Sequence, residues 1–103
     1  MLASIKLNTG AKVTKKGFPV VLEIYENAKN RPRKIIAHSF PEFWNDEVAE
    51  PRKEHPDYYH LIPIIKEYNA RIAKVNIGNY TISEAQQLIA IHRLLEILTF
   101  FSF

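Results

Sequence analysis

Apolar residues recur along this chain with two different periods, and the switch between them divides it into a strand-forming part and a helix-forming part. From Pro19 to Asn27 the pattern alternates: Val20, Leu22 and Ile24 fall on one side, Val21, Glu23 and Tyr25 on the other. That is the signature of a half-buried antiparallel strand. A further strand is predicted from Arg33 to Phe40, with Ile36, His38 and Phe40 opposing Arg33, Ile35 and Ala37, and a short first strand from Ala3 to Asn8, with Ile5 and Leu7 facing one way. The connections Thr9 to Gly17 and Asn27 to Pro32 are polar and short. Three strands joined this way predict an antiparallel meander. Pro19 has no N–H to offer a ladder and belongs at the beginning of its strand.

Beyond Asp57 the period lengthens. Leu61, Ile65, Tyr68, Ile72 and Val75 recur at three- and four-residue spacing between polar residues, which predicts an amphipathic helix lying over the sheet. Pro63 removes an amide donor, so the helix proper is expected to begin near it, after a short turn at Asp57 to His60. Asn76 to Asn79, with Gly78, supplies the stop. Thr81 with Glu84 and Ser83 with Gln86 are overlapping capping signatures ahead of Ala85, Leu88, Ile89, Ile91 and Leu95, a second helix. Between sheet and helices, Phe40, Phe43 and Trp44 are expected to plug the core, and Asn45 to Pro56 to form an exposed loop.

These elements define an α+β fold: a three-stranded antiparallel sheet packed against one main helix, plus a C-terminal helix with an apolar tail. Residues 1–77 make the sheet-and-helix unit and 78–103 the C-terminal helix and tail. The last seven residues carry no charge and three phenylalanines. Left in water such a segment promotes aggregation, so Ile97, Leu98, Phe100, Phe101 and Phe103 are expected to be buried, at home or across a subunit boundary. They are the candidate partner contact of an oligomer or larger assembly.

With 103 residues the chain is one domain with a modest core. It contains no cysteine, which excludes disulfides, thiolate metal sites and a cysteine nucleophile. The net charge of +3 conceals an asymmetry: residues 1–40 hold eight Lys or Arg against Glu23 and Glu26, and the remainder is net acidic. The strand-forming part therefore faces a polyanion more readily than the helical part. His38, His55, His60 and His92 are scattered, and the spacing of His55 and His60 does not suit two ligands on one helix face. Phosphate-cradling glycine loops, GxSxG and HExxH are absent. An enzyme is not expected, nor a metal or cofactor. No stretch approaches the roughly 20 apolar residues that span a bilayer, so a soluble protein with no membrane partner is expected.

Four segments carry a family resemblance: SIKLNT from Ser4, KKGFPVVLEIYEN from Lys15, PRKIIAHSFPEFWND from Pro32 and HPDYYHLIPIIKEYNARIAKV from His55. Together they resemble the N-terminal arm-type DNA-binding domain of tyrosine recombinases, the integrases of phages and conjugative transposons. The resemblance implies a sheet laid in the major groove of double-stranded DNA with the helix behind it, and Lys6, Lys15, Lys16, Lys29, Arg31, Arg33 and Lys34 as the DNA contacts. The chain departs from the family in carrying Glu23 and Glu26 and in ending at Phe103 without core-binding or catalytic domains. What is implied is a small DNA-binding accessory protein of a phage or mobile element, in the host cytoplasm or the virion. The alternative is a virion structural protein, auxiliary or capsid-decorating, that uses the same fold to contact other virion proteins.

Overall fold

The computed structural model describes residues 2–89 of the chain. Strands β1 (Leu2–Leu7), β2 (Phe18–Tyr25) and β3 (Arg33–Ser39) form an antiparallel sheet in the order β1-β2-β3. The central strand supplies most of the core. Its Val20, Leu22 and Ile24 are fully buried, and the register sets Ile5 against Leu22 and Ala3 against Ile24 on the same face. Helix α1 (Tyr58–Ile77) covers that face with Ile65, Tyr68, Ile72 and Val75, and helix α2 (Ile82–Ile89) adds Ala85 and Ile89 to the same core. Each large aliphatic side chain buried here contributes roughly 1.5–3 kcal/mol. The fold is α+β, as the two periods predict. The proposed tail contact at Ile97, Leu98, Phe100, Phe101 and Phe103 lies outside the described residues, as do Ile91 and Leu95.

The regular alternation expected of β3 is broken. Val20 pairs with Ala37 but Val21 pairs with Ile35, so Ile36 is an extra residue, a β-bulge. The insertion leaves Arg33 and Ile35 on the face away from the helices and turns both Ile36 and Ala37 towards the core. Helix α1 also begins earlier than Pro63 suggests. Asp57 C=O accepts the N–H groups of His60 (3.0 Å) and Leu61 (2.9 Å), so the first turn is closed before the proline is reached. The carbonyl that Pro63 leaves without a donor belongs to Tyr59, which is 88% exposed, and water can satisfy it.

The loop expected from Asn45 to Pro56 is more structured than its composition suggests. A turn of 3-10 helix at Pro41–Phe43 leads into a small ladder between β4 (Trp44–Asn45) and β5 (Glu50–Pro51). Trp44 is buried as expected, and Phe40 and Phe43 meet edge to face at 6.4 Å. In α2, Leu88 is exposed, whereas Ala85 and Ile89 point inward.

Both sheet edges are blunted by side chains. On β1 the Asn76 amide imitates a strand: its Oδ1 accepts the Ala3 N–H (2.8 Å) and its Nδ2 donates to the Ala3 C=O (2.9 Å). On β3 the His55 Nε2–H donates to the His38 C=O (2.9 Å), while His55 Nδ1 accepts the Asp57 N–H (2.9 Å). The buried imidazole therefore sits as the Nε2–H tautomer, joining β3 to the start of α1. The bulge at Ile36, and Lys34 on the inward side of the edge strand, further discourage edge-to-edge pairing.

Candidate functional site

Among the described residues the helices pack on one face of the sheet; on the other, which they leave open, Pro19, Val21 and Glu23 of the central strand are nonetheless buried beside the exposed Lys6, Arg33 and Ile35. The register places cross-strand rows on this open face: Leu2 and Tyr25; Ser4, Glu23 and Arg33; Lys6, Val21 and Ile35. Lys6 and Arg33 are exposed. Glu23, in the middle of the central row, is only 6% exposed.

Two tight turns place cations at the ends of this face, and each is held by the residue that opens it. At one end Thr14 and Gly17 exchange backbone hydrogen bonds (2.9 and 3.0 Å) around Lys15 and Lys16. Thr14 Oγ1 accepts the Lys16 N–H (3.1 Å) and donates to the Gly17 C=O (2.9 Å). Gly17 has a φ of +108°, and a Cβ there would lie 2.3 Å from the Ser39 carbonyl carbon. Only glycine lets this turn dock against the end of β3. At the other end Asn27 Oδ1 accepts the N–H groups of Lys29 (2.9 Å) and Asn30 (3.0 Å), an Asx turn that presents Lys29 at its apex. Asn30 Nδ2 donates to Glu26 Oε2 (3.1 Å), so this second acidic residue is engaged within the tip.

The seven cations predicted as contacts thus fall into four places. Lys6 and Arg33 stand on the open face; Lys15 and Lys16 form the turn at one end, Lys29 and Arg31 the tip at the other. Lys34 pairs in register with Leu22 and so lies on the helix-facing side, half-buried. The structure brings Lys6 and Arg33 to the open face and the two cation-bearing turns to the ends of the sheet, while Lys34 pairs on the helix-facing side yet still borders a hollow shared with Val21, Arg33 and Ile35. The turn-holding roles of Thr14 and Asn27 were not read from the sequence, although a Thr or Asn in a short polar connection is a turn signal; Asn76, expected to help stop α1, lies in its last turn and caps the β1 edge.

Three hollows adjoin these cations, one of them, of about 320 Å³, on the open face itself beside Val21, Arg33, Lys34 and Ile35. Another, of about 390 Å³, lies between the Lys15–Lys16 turn, His38, Phe40 and the start of α1 at His55 to Leu61. The third, of about 400 Å³, is lined by Lys29, Asn30, Arg31 and Arg33 at the tip. Among the described residues there is no cluster of three His, Cys, Asp or Glu placed to hold a metal ion. None of the described helices is long and apolar enough to cross a membrane. No protein-family model, no curated protein and no solved structure matches the chain.

Proposed function

We propose that the protein binds duplex DNA through the open face of its sheet and the turns at either end, as a non-enzymatic accessory protein of a phage or mobile element. The observation that carries this reading is the combination of a sheet face on which no described helix packs with six cations on or flanking it. A sheet can enter the major groove, where lysines and arginines beyond its ends meet backbone phosphates and strand residues meet base edges. The acidic residues from Glu42 to Glu84 lie in the connections and helices that follow the sheet, which leaves the sheet region at net +6.

A second reading is an interface with another protein in a phage particle. It draws on Leu2, Tyr25 and Ile35, which are exposed on the same open face. Titration of a fluorescent duplex separates the two. DNA binding requires an affinity that falls steeply with salt and that weakens in Lys15→Ala/Lys16→Ala and in Lys29→Ala/Arg31→Ala. Absence of binding at low salt removes the DNA reading and leaves the protein interface.

A further inference from the structure

A face that only gripped phosphates would gain nothing from a carboxylate at its centre. Glu23 nevertheless lies there, in the middle position of the row Ser4, Glu23, Arg33. It is more than nine-tenths buried, and no described residue forms a hydrogen bond or ion pair with its carboxylate. Arg33 faces it directly across the ladder, yet the two do not form an ion pair. The Glu23 oxygens are not among the buried polar atoms that lack a partner, so they keep a narrow contact with water; the approach of DNA would displace that water and set phosphates beside a carboxylate, and both cost free energy. A donor supplied by a ligand would offset both.

We infer that Glu23 accepts a hydrogen bond from the 4-amino group of a cytosine in the major groove, with Arg33 beside it on guanine, so that the protein selects a G·C pair at this position. The inference rests on the DNA-binding reading above. It follows from what the groove displays. Cytosine N4 is the donor that a Glu or Asp accepts from, and guanine O6 and N7 are the acceptor pair that an arginine grips bidentately. Cross-strand neighbours in an antiparallel ladder have Cβ atoms about 4.5–5.5 Å apart, which sets an acceptor and a donor side by side, as the two base edges of one pair require. Ile35, exposed in the next row, offers an apolar surface to a neighbouring base. Lys6 and the turn lysines then serve as phosphate contacts, which position the sheet without carrying sequence information.

The experiment has a selection arm and a wild-type arm. Full-length protein selects from a pool of random duplexes, in parallel with Glu23→Gln and Arg33→Ala. The wild type is expected to enrich a fixed G·C pair. Glu23→Gln should move that preference towards A·T, since glutamine pairs with adenine N6 and N7, and Arg33→Ala should relax the guanine requirement. In the second arm wild-type protein is titrated with the selected duplex in which 2-pyrimidinone, lacking the 4-amino group, replaces the cytosine. About a tenfold loss of affinity is expected for the wild type and none for Glu23→Ala. The wild-type titration of this arm reads the contact in unaltered protein and does not depend on how the variants fold. The same base preference in wild type and Glu23→Gln, or indifference of the wild type to 2-pyrimidinone, would overturn the inference while leaving DNA binding intact. Absence of duplex binding at low salt would overturn both.

Discussion

Gly17 and His55 are small fixtures on which the position of the basic turn and the seating of α1 depend. A Cβ at position 17 would also lie 2.6 Å from Phe40 N, against backbone that cannot swing aside. Gly17→Ala is therefore expected to lower the unfolding free energy by about 2–4 kcal/mol in urea titration. An unchanged midpoint would mean that the turn is not docked on Ser39. His55→Ala removes the hydrogen bonds at His38 and Asp57 and leaves a part-buried carbonyl without its donor. It should cost about 2–3 kcal/mol, measured the same way. Neither role was legible beforehand. A glycine after two lysines signals a turn, but its close approach to Ser39 depends on a contact across the fold, and His55 pairs with an atom seventeen residues away.

At the scale of elements, the Asn76 side chain caps the β1 edge at Ala3. Asn76→Ala should cost about 1–2 kcal/mol and speed hydrogen exchange at the Ala3 amide. Slow exchange in the variant would mean that another group covers that edge. Helix α2 begins with a reciprocal capping box: Glu84 Oε1 accepts the Thr81 N–H (2.9 Å) and Thr81 Oγ1 accepts the Glu84 N–H (3.2 Å). The Thr81 backbone N–H, then its side chain, hold the Glu84 carboxyl below its ordinary range. A depressed carboxyl contributes stability that is present above its unfolded-state pKa and lost as pH falls through the folded-state value. Stability should thus decline as acid protonates Glu84, and Glu84→Gln should flatten that part of the profile; an unaltered profile would exclude the cap as its source.

These elements also explain how much of the fold the sequence made legible. Val20, Leu22 and Ile24 read as a core face because alternation in a central strand is a local property. The Thr81–Glu84 box was readable for the same reason. On the edge strand the bulge at Ile36 defeated simple alternation, since one inserted residue reverses every later side chain. Pro63 points to a late start for α1 because the exposure of Tyr59, which lets water take up the carbonyl that the proline leaves free, is a tertiary property. The candidate face was half legible. Charge counting found its cations, but not that Lys34 would be turned inward or that Glu23 would be recessed at its centre.

For the whole molecule, the governing feature is the division of charge between two layers. The sheet and its turns carry the positive excess and the following residues the negative, so the open face presents cations outward while the helices close the core behind it. Under the proposed DNA-binding reading, Glu23 is the one acidic side chain in the cross-strand rows of that face. The central claim is tested most directly by the dependence of duplex affinity on salt. A plot of log K against log salt concentration is expected to be linear with a slope of about −4 to −5, becoming shallower by about 1 to 2 in Lys15→Ala/Lys16→Ala. A slope near zero, or one that the double substitution leaves unchanged, would contradict the account.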